Sequence, residues 1–473
     1  MNTTLTPRLT LCAGMLLASA FLAAPAYAVG GTEPLVDILN APGSAGIGLA
    51  ARIETSPYVG GGTRYDLLPL YLYEGERLFL HANRLGLKLL NEGDRIKGST
   101  GQRLDVFVEQ RLEGHPVGDK LPASLAGMAP RDSGIDLGLS YKYRQTWGTL
   151  QAELVHGVGS ASHGNEARIG YSYDWRSGAF LLRPTVSVSF RDATLNNYYY
   201  GVLPGEATAT RAAYAPGAGT NAQIGLYGSY DVSTRWRLLG GLSATYLGSG
   251  IQNSPIVQKR VLPAIYVGAA YDFGGHKREW AEENTPTYFK ALYGVAAEPS
   301  CHLAKIITAR CFSTASSNAT AVKGIQVGKP FINQLNGWPL DFAGYVGVTQ
   351  HDERGLQSNG LQLDVFMKAI YSGFPWSDRV KTRLGLGVGL SAVQRVPYTE
   401  VSSQAGKTTS RLLNYLDPTI DISLGDLFGA RALKETYLGF GVSHRSGIFG
   451  SSRLLGNVNG GSNYLYTYVE SAF

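Results

Sequence analysis

Between residues 380 and 392 apolar and polar positions alternate without a break. Val380, Thr382, Leu384, Leu386, Val388, Leu390 and Ala392 share one face, and Lys381, Arg383, Gly385, Gly387, Gly389 and Ser391 share the other. A period of two marks a β-strand whose two faces meet different surroundings. Segment 361–371 repeats it with Leu361, Leu363, Val365, Met367, Ala369 and Tyr371, and segment 236–246 with Trp236, Leu238, Leu242, Ala244 and Tyr246. Helical periodicity is almost absent. Two basic groups aimed at hydrocarbon would be costly, so the face carrying Lys381 and Arg383 is expected to line an interior. Long strands, tyrosines near their ends and a final Phe473 suit a membrane-spanning barrel. A water-soluble β-sandwich is the alternative with a similar pattern.

Counting such segments divides the chain. Up to Phe273 about a dozen are expected, near 46–55, 63–73, 76–90 (one strand or two), 101–113, 134–145, 147–157, 164–175, 178–190, 196–202, 218–231, 234–247 and 261–273. The stretch AIYVGAAYDFGG (264–275) has the form of a closing barrel strand, yet two hundred residues follow Phe273. Beyond the polar stretch GGHKREWAEENT lie eight more segments, near 286–298, 321–332, 337–350, 358–372, 380–393, 409–425, 434–449 and 462–473. Eight strands are the fewest that close a membrane barrel around its own side chains. The expectation is an all-β chain with two tandem transmembrane antiparallel β-barrels, of about 12 and then 8 strands. Residues 1–28 would be a signal peptide, 29–274 the first barrel, 275–285 a linker and 286–473 the second barrel. One cylinder of about twenty strands is the competing arrangement.

The leader sets the compartment. Arg8 precedes an apolar run from Leu11 to Ala24, and Ala26-Tyr27-Ala28 offers a small-x-small cleavage site. No later run approaches the ~18 apolar residues of a transmembrane helix. With 60 glycines, 28 tyrosines and only 16% charged residues, the composition fits outer-membrane strands. The net charge of +6 suits contact with anionic lipopolysaccharide, or is ordinary solubility charge on loops. No basic run occurs, so nucleic acid is not an expected partner. Cys301 and Cys311 flank HLAKIITAR and are expected to form a disulfide in an oxidising compartment. A metal there would have only His302 as a further ligand, and no cofactor is expected.

Four stretches of the first half, YDLLPLYLYEGERLFL (65–80), HGNEARIGYSY (163–173), NNYYYGV (196–202) and YLGSGIQNSPIV before YVGAAYDF, resemble the MipA/OmpV family of outer-membrane proteins. The resemblance implies a barrel in the outer membrane. It also implies a scaffolding role, since the best-known member brings a lytic transglycosylase to a peptidoglycan synthase. Outer-membrane lipids and periplasmic peptidoglycan enzymes are thus the expected partners. The resemblance brings no catalytic residues. His156 and His163 read as loop histidines, with no carboxylate at a fixed spacing from either.

The second half carries a different signal. In YLGFGVSHRSGIFG (437–450) the stripe Leu438, Phe440, Val442 runs into His444 and Ser446. Residues two apart on a strand are separated by ~7 Å, a gap that an imidazole and a hydroxyl can bridge as base and nucleophile. An eight-stranded barrel with His-x-Ser on a late strand resembles the PagL lipid A deacylases. That resemblance implies Ser446 as nucleophile, His444 as base and a lipid A ester as substrate. Its orienting glutamate on the next strand has no counterpart, because NVNGGSNYLYTY holds no acid; Glu435, Glu470, Asp417 and Asp421 lie elsewhere. The other reading is a membrane rim, where strands turn polar as they leave hydrocarbon.

Overall fold

A computed structural model describes residues 44–92, 100–115, 121–158, 161–273, 285–316, 319–403, 409–452, 454–456 and 458–473. The expected signal peptide and residues 275–284 of the linker lie outside these. The first sheet runs through β1 (Ser44–Thr55), β2 (Thr63–Glu74), β3 (Leu78–His81), β4 (Arg84–Glu92), β5 (Gly101–Gln110), β6 (Ile135–Gln145) and β7 (Gly148–Gly157). It continues through β8 (Asn165–Ser172), β9 (Trp175–Ser177), β10 (Phe180–Arg191), β11 (Gly219–Asp231), β12 (Trp236–Tyr246) and β13 (Val261–Asp272). β8 and β9 both pair with β10, end to end, and so act as one wall strand. β13 pairs with β1, which closes a ring of twelve.

The second sheet is a separate closed barrel of eight: β14 (Tyr288–Ala296), β15 (Ala321–Ile332), β16 (Leu340–Asp352), β17 (Gly360–Tyr371), β18 (Thr382–Val393), β19 (Leu412–Ser423), β20 (Thr436–Ser446) and β21 (Gly461–Ala472). Two closed circuits rule out the single large cylinder. Leu49, Ile224, Val267, Ile325 and Leu386 are all at least half exposed on the outer walls, so the apolar stripes do not face one another as a sandwich requires. They form the belt that meets lipid.

One expected strand is absent. Residues 196–200 belong to a helix, Ala193–Tyr200, started by Asp192, whose carboxylate accepts from the Leu195 amide at 2.8 Å, and Val202 beyond it bridges Tyr214. This cap gives the backbone a local partner that competes with the sheet ladder. Segment 76–90 forms two strands, β3 and β4, so the count of twelve is kept.

In the first barrel most connections at one end are tight, as at 146–147 and 232–235, while those at the other run long, as at 111–134 and 192–218; in the second, 297–320 and 394–411 mark the long end. Short turns are periplasmic and long loops extracellular in such barrels. Buried ion pairs cross both lumens. In the first, Arg84 reaches Glu109 at 2.6 Å and Glu153 at 2.7 Å, and Arg111 reaches Glu166 at 2.7 Å. In the second, Arg383 takes Asp421 with two nitrogens at 2.8 Å and Glu470 at 2.7 Å. Asp417 accepts from Lys368 at 2.9 Å and lies 3.5 Å from Lys290. Arg383 thus points inward, as its place in the alternation requires.

Candidate functional site

Strand alternation on β20 sends Tyr437, Ser443 and Arg445 into the lumen and leaves His444 and Ser446 on the outer wall, at the extracellular end. His444 lies opposite Asn463 of β21, and its Nδ1 is 2.7 Å from the Asn463 side-chain oxygen. The Asn463 amide donates in turn to the Cys301 carbonyl at 3.2 Å. A carboxamide therefore fixes the ring where the sequence offered no acid. Ser446 lies opposite Asn414 of β19 and Gly461 of β21. No hydrogen bond joins His444 to Ser446 among the described residues.

The four candidate acids are engaged elsewhere. Glu470, Asp417 and Asp421 belong to the lumen pairs, and Glu435 accepts from the Tyr437 hydroxyl at 3.1 Å near the periplasmic rim. Asn463 was missed because pairing register, which places it beside His444, cannot be read from one strand alone. Its only signal is being the one carboxamide just after the NGG turn that leads into β21. Cys301 and Cys311 are joined, with Cα atoms 5.5 Å apart. The loop they close covers the outward Val442 and Leu465, and Phe312 meets Phe440 edge to face. His444 and Ser446 therefore sit beside a covered, not a bare, stretch of wall.

In the first barrel two of the quoted motifs, NNYYYGV and the stretch ending in SPIV, meet at the extracellular mouth, while 65–80 and 163–173 run along β2–β3 and β8. Tyr199 and Tyr200 of the helix pack with Tyr58, Leu125, Ile251 and Ile256 in an apolar cap. Ser254 donates to the Tyr200 carbonyl at 2.6 Å, and the Tyr200 hydroxyl reaches Glu113 at 2.9 Å. NNYYYGV and SPIV are thus two sides of one lid over the lumen. Below it lies a cavity of about 250 Å³ that touches Arg84, Glu109, Glu153, Arg168 and Leu112. His156 and His163 take no part in this cavity.

Residues 47–273 match the family described as MltA-interacting protein MipA. The chain is 30% identical over 209 residues to the outer membrane protein Omp26La of Vibrio anguillarum, a match covering 44% of this chain and 79% of that protein. To the outer membrane protein OmpV of Vibrio cholerae it is 29% identical over 209 residues, with the same coverage of each. To the MltA-interacting protein of Escherichia coli it is 23% identical over 237 residues, covering 50% of this chain and 93% of that one. The matched range ends at Phe273, directly after β13 closes the first ring. The chain belongs to the MipA family of outer-membrane β-barrel proteins through residues 47–273, and carries a second, eight-stranded barrel beyond them.

Proposed function

We propose that this protein is a scaffold of the outer membrane that holds a periplasmic peptidoglycan enzyme at the membrane surface. The observation that carries this reading is the network of buried ion pairs across both lumens, beneath a closed lid in the first barrel. Such interiors leave the periplasmic turns as the surface offered to a partner. The MltA-interacting relative supplies the partner class. Photo-crosslinkers placed at Trp147 and Val232, both exposed on periplasmic turns, should capture a murein-cleaving or murein-building enzyme in cells. A crosslinker at the extracellular Leu203 should not. Equal capture from both sides, or none from the turns, would remove the scaffold reading.

A second reading, a lipid A deacylase-like esterase in the C-terminal barrel, is favoured by one contact, the Asn463 carboxamide on His444 Nδ1 at the end nearest the lipopolysaccharide leaflet. In it Ser446 attacks an acyl ester and His444 accepts its proton. Mass spectrometry of lipid A should then show loss of one acyl chain on expression, abolished by both Ser446→Ala and His444→Ala. An unchanged profile at full expression leaves the scaffold alone.

A further inference from the structure

The wall of the first barrel has a notch. β3 is only four residues long and pairs with β2 at Leu72–Glu74, so the extracellular part of β2 has no neighbouring strand on that side. Pro69, without an N–H to offer, occupies that edge. Into the notch comes the connection between β20 and β21 of the second barrel. The Leu67 amide donates to the Ser451 carbonyl at 2.8 Å. Leu454 and Leu455 are fully buried in one apolar cluster with Leu68, Leu70 and Leu72 on the lumen face of β2, with Leu112 after β5, and with Leu413 of β19. This is the apolar side of a lumen that is otherwise lined by ion pairs. Leu112 also borders the charged cavity, so the notch and the cavity share a wall.

The inserted loop is joined at its base by two consecutive left-handed residues, Ile448 (φ 49°) and Phe449 (φ 56°). A β-branched residue in that region is strained and keeps the conformation only while its surroundings enforce it. Phe449 is 89% exposed, so what enforces it is the docking of the residues that follow.

We propose that the notch beside β2 is a lateral portal of the first barrel for an acyl chain of an outer-leaflet lipid, and that the β20–β21 loop is its gate. Withdrawing Leu454 and Leu455 leaves an apolar slot at the level of the extracellular leaflet. The second barrel covers the outward Tyr71 on the β2 flank, but Leu85 and Val108 on the β4–β5 flank are exposed to lipid. Hydrocarbon is therefore the solvent that reaches such a slot from that side, and the paired leucines occupy the place of a chain. The same slot then opens sideways onto the charged cavity, where a polar headgroup finds both signs of charge.

The full-length protein in proteoliposomes containing a phospholipid with a photoreactive diazirine on its acyl chain provides the test, with crosslinked peptides mapped by mass spectrometry. Leu454→Ser with Leu455→Ser should raise crosslinking on the lumen-facing Leu68, Leu70 and Leu72 several-fold over the native protein. Leu67→Cys with Ser451→Cys, oxidised to hold the loop down, should reduce it below the native level, and a reductant should restore it. The locked variant keeps the fold whatever happens to the loosened one, and heat-modifiable migration reports closure of both barrels. Crosslinks confined to outward residues in every variant, or equal in locked and reduced protein, would overturn the proposal.

Discussion

Asp417 is fully buried in the second lumen, where it accepts from Lys368 and from the Tyr466 hydroxyl and faces Lys290. Two ammonium groups therefore share this carboxylate as their salt-bridge partner. Asp417→Asn keeps the shape and removes the charge, and leaving buried cations uncompensated costs about 3–5 kcal/mol. Urea unfolding of the refolded barrel should report a loss of that order, whereas Thr382→Ser near the periplasmic rim should change little. At this scale the sequence was readable wherever alternation alone decides. Arg383 had to point inward, and it does. It was unreadable wherever register decides: nothing in NVNGGSNYLYTY tells that Asn463 rather than another side chain faces His444, because a slip of one residue would exchange every partner.

Among the elements, the extracellular loops of the first barrel hold together through Glu206. Its carboxylate accepts from the amides of Ala129 and Leu203 at 2.8 and 2.9 Å and from Arg131 at 2.7 Å. Burial raises the pKa of this carboxyl, but the Arg131 guanidinium and the two amides outweigh it and hold the carboxyl below its usual range. A depressed folded value means that the stabilisation is complete above the unfolded value, about 4.3, and is lost as pH falls through the folded one. Hydrogen exchange of the 124–131 amides should stay slow at pH 6 and quicken below about 4 relative to the intrinsic rate. In Glu206→Gln the tie should be weak at both pH values and its pH response flat. Such loops were illegible in advance. The strand expected over 196–202 gives way to a helix ending at Tyr200 because Asp192 caps it, a local hydrogen bond that aromatic-rich NNYYYGV does not announce.

On the scale of the whole molecule, the barrels lie side by side. The Tyr71 hydroxyl on the outer wall of β2 bonds the Asn414 side chain of β19, and Phe273 packs against Phe331 and Phe342. The aromatic that ends the AIYVGAAYDFGG pattern is thus a joint between barrels and is only 4% exposed, not a residue of the lipid boundary. Its alternation predicted the strand, and no single-strand pattern could predict what covers it. Cleavage by a site-specific protease inserted at 279–280 should leave the two barrels co-purifying in mild detergent. Phe273→Ala and Tyr71→Phe combined with Leu454→Ser and Leu455→Ser should separate them, since the first empties the joint, the second strands the buried Asn414 acceptor and the last pair undoes the loop's apolar anchor.

Each ring holds an even number of strands, twelve and eight, so each begins and ends on the periplasmic side. A chain built this way can be lengthened by whole cylinders without any segment crossing back through the bilayer. Joining an even-stranded cylinder after Phe273 is therefore topologically silent: it reorients not a single strand of the first.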